Sequence, residues 1–210
     1  MTWEIWAVII GSVASSLATI VAVILKHKLG NGNKDCPIKE ESSHNENVYS
    51  ALHGILEQMG GDRAYVLEFH NGGHYLSGRG QQKFSCSHEV VEEGISSECQ
   101  ASQDYRTSNY HGYISELINE GSFAYSDVPI MPHQGFRALL EEKGVRSIFN
   151  VPIKTINGNI IGILGVDYVK SAVSSNIIGF KATDEKGSLF GDKELSFMEE
   201  QSLQIAGYLL

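Results

Sequence analysis

The chain opens on an apolar run and then changes character. No residue within 5–25 is charged, and Ile, Val, Leu and Ala dominate there. A helix needs about 20 such residues to cross a bilayer, so residues 1–28 are predicted to be a transmembrane helix with its flanks. Trp3 and Trp6 stand at its start, where indole rings favour the headgroup layer. Lys26, His27 and Lys28 follow it, with Lys34 and Lys39 beyond, whereas only Glu4 is charged before it. The positive-inside rule then places the N-terminus outside and the C-terminal side in the cytoplasm. A signal peptide fits less well, because the leading residues are acidic, the apolar core is long and basic residues follow it. Ala7, Gly11, Ser15 and Thr19 recur at every fourth position, and Ala14, Ala18 and Ala22 make a second stripe. Small residues at this spacing let two helix backbones approach closely, which points to a homodimer.

Residues 29–46 carry Gly, Asn, Pro, Ser and charge without a period and read as a flexible linker. Periodicity returns in residues 47–210, predicted to be one domain. Residues 47–59 read as a helix with Val48, Leu52, Ile55 and Met59 on one face, stopped by Gly60-Gly61. Residues 63–70 read as a strand. Tyr65, Leu67 and Phe69 point one way, and Ala64, Val66, Glu68 and His70 the other. Asn71-Gly72-Gly73 is expected to break it. A second strand is predicted over residues 83–91, with Phe84, Cys86, His88 and Val90 on a common face. Residues 92–109 are polar and unassigned. Helices follow at 110–120 and 136–143, with a short strand around Phe123 and Tyr125 between them. Residues 145–154 and 160–169 flank Asn157-Gly158, the strongest hairpin signal in the chain. After a Gly- and Ser-rich connection over 171–191, Asp192 opens a last helix. It carries Leu195, Met198, Ser202, Ile205 and Leu209 at three- and four-residue steps. Antiparallel strands with helices between them make an α+β domain.

Composition narrows the function classes. The 210-residue chain has a formal net charge of −9 and no basic patch, which argues against nucleic acid. Cys36, Cys86 and Cys99 are odd in number, widely spaced and without a CxxC pair. That is not a disulfide framework or a zinc knuckle, and it fits a reducing compartment.

The segment from Phe136 to Val169, FRALLEEKGVRSIFNVPIKTINGNIIGILGVDYV, resembles the later part of a GAF domain. It has a short helix, a Gly turn, a strand ending in VPI, a tight turn and a strand reading GxLxxD. The opening helix with RAYVLEFH is similar to the start of that family, and the closing helix to its end. The resemblance implies a central antiparallel sheet with helices behind it and a ligand pocket on the other face. Members bind cyclic nucleotides, tetrapyrroles, haem, amino acids or nothing, and many mediate dimers. No NKFDE-type set for cyclic nucleotides is present, and no cysteine context for a bilin. The stretch EFHNGGHYLSGRGQQKFSCSHEVV lies outside the common pattern. No effector segment follows the last helix, so output is expected through dimer geometry or a partner.

Candidate site residues come from polar positions that interrupt apolar strands. Glu68, His70, Asn71 and His74 gather at the end of the first strand, and Cys86 and His88 lie on the second. Glu68, His70, Asn71 and His88 are candidate ligand contacts. Two His with a carboxylate suit several divalent ions. His70 and His74, however, flank a Gly-Gly loop rather than sharing a helix face, so no metal site is assigned. Asn71-Gly72-Gly73 and Gly78-Arg79-Gly80 lack the helix N-terminus and Lys-Ser/Thr of a phosphate loop. Arg146, Asn150 and Asp167 break the runs of the hairpin and are candidate contacts too, with an Arg146–Asp167 salt bridge as the plainer alternative. Cys86 and Cys99 raise a thiol-dependent reductase of the free methionine sulfoxide type, which needs an activated cysteine and a resolving partner. No catalytic residue is assigned and the cofactor is left open. The leading expectation is a membrane-anchored, cytoplasmic sensory or binding module for a small molecule or protein partner, and not an enzyme. The alternatives are a bacterial or phage-encoded interaction factor modulating a membrane complex without a ligand, and the reductase.

Overall fold

A computed structural model describes residues 36–173 and 190–210. The predicted membrane span, its packing residues Ala7, Gly11, Ser15 and Thr19, and most of the 171–191 connection lie outside the described residues. Among those described, no helix is long and apolar enough to cross a membrane.

Helix α1 (Pro37–Met59) begins inside the stretch expected to be a linker. Proline suits a first helical position because it has no N–H to leave orphaned. The Cys36 carbonyl accepts from the Lys39 and Glu40 amides at 2.8 and 3.1 Å and so opens the helix. The turns that follow are polar all round, which hides them from a search for apolar period. The chain divides into compact units at Ser43 and His44, and the second unit carries everything described below.

The remaining elements are β1 (Arg63–His74), β2 (Gly80–Val91), β3 (Tyr105–Arg106), α2 (His111–Glu120), β4 (Phe123–Tyr125), α3 (Gln134–Glu142), β5 (Ser147–Lys154), β6 (Ile160–Tyr168) and α4 (Asp192–Leu209). The strands form one six-stranded antiparallel sheet in the order β3-β2-β1-β6-β5-β4. Asn71-Gly72-Gly73 does not end β1. The ladder continues to Asn71↔Gln82 and, after an irregularity, to His74↔Gly80. Gly72 permits this, since a Cβ there would meet the aliphatic stem of Lys83 at 2.7–2.8 Å. Asn157-Gly158 makes the expected turn between β5 and β6, with Gly158 at φ +80°.

Strand alternation gives the sheet two buried faces. One packs Ala64, Val66, Val90, Phe149, Val151, Leu164 and Val166 against Val48, Leu52 and Ile55 of α1 and Met198 and Ile205 of α4. The other packs Leu67, Phe84, Cys86, Ile148 and Ile163 against Tyr113 and Leu117 of α2, Phe136 and Leu140 of α3, and the intervening loops.

The single-face reading of β2 needs correcting. Leu67 pairs with Cys86 while its neighbour Val66 pairs with His88, so Ser87 is an extra residue, a β-bulge. Phe84 and Cys86 therefore lie on the α2–α3 face, and His88 and Val90 on the α1–α4 face. One extra residue reverses every later side chain because the strand period is two.

Candidate functional site

The α2–α3 face holds a buried polar cluster that its apolar surroundings do not explain. Arg63 and Asp167 are cross-strand partners on β1 and β6, and Tyr65 and Asn150 sit one step further on, opposite Gly165. The Tyr65 hydroxyl lies 3.0 Å from Asn150 Oδ1 and 2.9 Å from Asp167 Oδ1. Asn150 Nδ2 donates to the Tyr113 hydroxyl at 2.7 Å, which brings α2 into the network. Gly165 makes room for the crossing, since any Cβ there would collide with the Tyr65 ring.

Burial sets the electrostatics. It raises the Asp167 carboxyl to about 6 against the help of the Tyr65 hydrogen bond and the Arg63 and Lys143 charges. Burial likewise lifts the Tyr65 and Tyr113 phenols well above their ordinary range. Tyr65 has one proton for two acceptors. When Asp167 carries a proton its carboxyl donates to Tyr65, and the chain runs Asp167, Tyr65, Asn150, Tyr113 in one direction. When Asp167 is ionised it takes the phenol proton instead.

Arg63 is 1% exposed. Its Nε donates to the Ser96 carbonyl at 3.0 Å and its Nη2 to the Lys143 carbonyl at 3.2 Å, with Glu98 at 3.8 Å and Asp167 at 3.7 Å. Among the described residues, Nη1 has no hydrogen-bond partner. A buried guanidinium with a spare donor carries a large desolvation cost.

Above this cluster lies a cavity of about 40 Å³ lined by Tyr65, Leu67, Phe84, Cys86, Glu89, Glu98, Ser102, Tyr105, Phe136, Leu139, Leu140, Lys143 and Asp167. The lining combines apolar and aromatic side chains with charged ones. Its wall is the loop over residues 92–104, the stretch left unassigned from sequence. Glu89 Oε2 accepts from the Ser97 hydroxyl and from the Glu98 and Cys99 amides, the latter two at 2.8 and 3.1 Å. The Cys86 amide donates to Ser102 O at 2.8 Å, and Gln103 Nε2 donates to the carbonyls of Cys86 and Cys99 at 2.8 and 2.7 Å. Lys143, just after α3, donates to the Ser102 hydroxyl and stands 5.5 Å over the Tyr105 ring. Next to the cavity the α2–α3 face is filled by aromatics. Tyr113 and Phe136 stack at 3.8 Å, with Phe123 and Tyr110 edge-on to Phe136 at 5.7 and 5.8 Å.

The predicted site residues therefore separate. Asn150 and Asp167 come together beneath the cavity. Glu68, His70 and His88 lie on the α1–α4 face. His88 bridges Asn45 Oδ1 at 3.0 Å and Ser87 Oγ at 2.9 Å, stands edge-on to Tyr49, and has its pKa lowered by burial. His70 pairs with Ser85 Oγ at 2.9 Å. Asn71 is exposed and accepts from the Gly73 amide at 2.9 Å, closing a local turn. Arg146 is exposed and donates to the Val169 carbonyl at 3.1 Å, so the cation beside Asp167 is Arg63 and not Arg146. Among the described residues no group of three His, Cys, Asp or Glu side chains is placed to hold a metal. Sequence reasoning missed Arg63, Tyr65, Tyr113, Glu98 and Lys143. The available signal was that Arg63 and Tyr65 share the β1 face with Leu67 and Phe69, so an arginine heads an otherwise buried row.

No family model matches the chain, and no curated protein does. Solved structures do. The blue-light absorbing form of the PixJ GAF domain from Thermosynechococcus elongatus aligns at TM-score 0.59 and 14% identity over 81% of this chain and 86% of that one. The photoproduct state of GAF3 from Slr1393 of Synechocystis sp. PCC6803 aligns at 0.54 and 14%, over 79% and 92%. The GAF domain region of a protein assigned to the membrane in Geobacter sulfurreducens PCA aligns at 0.54 and 16%, over 82% and 96%. At these identities the likeness concerns architecture, and the architecture of this chain is that of a GAF domain.

Proposed function

We propose that this domain is a sensory module that takes a small amphiphilic molecule into the cavity above Arg63 and Asp167. The observation that carries the reading is the buried Arg63–Tyr65–Asn150–Asp167 network, of which Tyr65 and Asp167 line that cavity, and whose guanidinium Nη1 makes no hydrogen bond among the described residues but stands 3.7 Å from the Asp167 carboxyl. A face that only needed packing would carry apolar residues at these positions. The chemistry of the lining selects the ligand class. Leu67, Phe84, Phe136 and Leu140 suit an apolar part, while Lys143, Glu98, Ser102 and Asp167 suit a charged or hydrogen-bonding head. At about 40 Å³ the cavity is far below the roughly 300–1,000 Å³ typical of drug-sized ligands. The occupant is therefore small, or the 92–104 wall moves to admit it. The solved neighbours include light-absorbing GAF domains, and the shared fold fits a sensory role without extending their ligand to this chain. The apolar N-terminal run suits attachment at the inner face of a membrane, and its small-residue stripe suits a homodimer. Signal would then pass through α1 and α4.

The test is a thermal-shift titration of the full chain in detergent against a panel of small carboxylates, amines and amino acids. A ligand is expected to raise Tm in the wild type and to lose at least tenfold in affinity in Lys143→Ala. A panel with no shift, or a shift that Lys143→Ala leaves intact, removes the reading. A second reading, a protein-interaction module without a ligand, is favoured by the aromatic filling around Tyr113 and Phe136. It expects no ligand and instead a partner recovered with the intact membrane protein.

A further inference from the structure

Two of the chain's cysteines meet at the cavity wall. Cys86 sits on β2 just before the bulge at Ser87, on the α2–α3 face with Phe84, and lines the cavity. Cys99 belongs to the wall loop and is half-buried. Cys99 Sγ donates to the Cys86 carbonyl at 3.4 Å, and Cys86 Sγ donates to the His88 carbonyl at 3.4 Å. The backbones are held in register around them by Cys86 N to Ser102 O at 2.8 Å and by Gln103, which bonds both cysteine carbonyls. A disulfide demands sulfurs that can meet on backbones that need not travel, and here the wall loop is bonded to the β2 backbone at Cys86 with Cys99 Sγ against the Cys86 carbonyl.

We propose that Cys86 and Cys99 form a reversible dithiol–disulfide pair that, under peroxide, closes and locks the 92–104 loop onto β2. Cys99 reacts first, being the more accessible. Its sulfur attacks one peroxide oxygen, the S–O bond forms, the O–O bond breaks, and the departing hydroxide takes the thiol proton as water. Cys86 then attacks the sulfenic sulfur of Cys99. The S–S bond forms, the S–O bond breaks, and the second hydroxide leaves with the Cys86 proton as a second water. Two thiols are oxidised and one peroxide is reduced to two waters. The Cys86 thiol is held protonated chiefly by burial, and then by the neighbouring Cys99 thiol. The pair stands whether or not the cavity binds a ligand.

The full chain in detergent is treated with hydrogen peroxide, alkylated in denaturant and mapped by peptide mass. A Cys86–Cys99 linked peptide is expected, two hydrogen masses lighter than its parts and reopened by dithiothreitol, with Cys36 still alkylated. Cys86→Ser is expected to leave Cys99 as a sulfenic acid trapped by dimedone, and Cys99→Ser to leave Cys86 unmodified. Wild-type mapping needs no variant to fold. The proposal is overturned if both thiols remain alkylatable while Cys36 is oxidised, if Cys99 passes to sulfinic acid with Cys86 free, or if cross-linking occurs only between chains through Cys36.

Discussion

The two faces of this sheet are made by the same strands and are built to different standards. On the α1–α4 face, Ala64, Val66, Phe149, Val151, Leu164 and Val166 are all buried and apolar. One residue over, the same strands place Arg63, Tyr65, Asn150 and Asp167, equally buried and joined by hydrogen bonds and charge. The first face gains stability from area removed from water. The second carries a desolvation cost that its internal contacts only partly offset, with one guanidinium nitrogen lacking a hydrogen bond among the described residues. Both close a core, so stability does not account for the difference, and Tyr65 and Asp167 of the polar set line the cavity.

The largest test of this contrast removes one member from each face. Arg63→Met strips the cation from Asp167 and Glu98 and the donors from the Ser96 and Lys143 carbonyls. Breaking a buried pair in this way is expected to cost about 3–5 kcal/mol in chemical denaturation. Leu52→Ala, fully buried on the other face, is expected to cost about 2–5 kcal/mol through lost transfer energy and a cavity. The signatures differ in coupling. Adding Asp167→Asn to Arg63→Met should recover part of the loss, because it removes the stranded charge, whereas Asp167→Asn should simply add to Leu52→Ala. Strict additivity in both pairs would show that the polar face is not a coupled network.

A smaller effect comes from pH. The folded Asp167 carboxyl sits at about 6 because of burial, above the ordinary carboxylate value of about 3.9. The folded state therefore binds the proton more tightly than the unfolded chain. Its contribution is fully present below about pH 3.9 and is lost as pH rises through about 6. The difference corresponds to about 3 kcal/mol at most across that window. Asp167→Asn should remove this fall while leaving the background slope from other carboxylates. If wild type and Asp167→Asn show parallel stability profiles between pH 4 and 7, the carboxyl is not strained by burial.

How much of this was legible beforehand depended on whether a signal was local. Alternation in RAYVLEFH assigned both faces of β1 correctly, and Asn157-Gly158 located the hairpin that brings Asn150 near Asp167. The bulge at Ser87 leaves no mark in the alternation of FSCSHEVV, so His88 was put on the wrong face. Arg63 lies 104 positions from Asp167, and no rule of spacing links a strand start to the end of a distant strand that happens to be its neighbour. The wall over 92–104 has no period because its order comes from Glu89, Gln103 and Ser102 rather than from an apolar stripe. Nothing in the helix predicted over 110–120 marks Tyr113 as the phenol that reaches Asn150, a residue on a distant strand.

The smallest expected effect bears on which face is the site. Glu68 and His70 were natural candidates from sequence, since a carboxylate and an imidazole stand together where a strand gives way to glycines. The pleat sends both to the side of Val66 and away from the cavity. Neither is fully buried, and His70 has a half-buried partner in Ser85. A Glu68→Gln, His70→Ala double variant should therefore change stability by no more than about 0.5 kcal/mol per site, as surface substitutions generally do. It should also leave untouched any ligand-induced rise in Tm that Lys143→Ala abolishes. The two variants change polar side chains on opposite sides of one sheet. Loss of the ligand response in the double variant, with Lys143→Ala silent, would move the site to the α1–α4 side. The buried network beneath the cavity would then be a costly way of packing a core and nothing more.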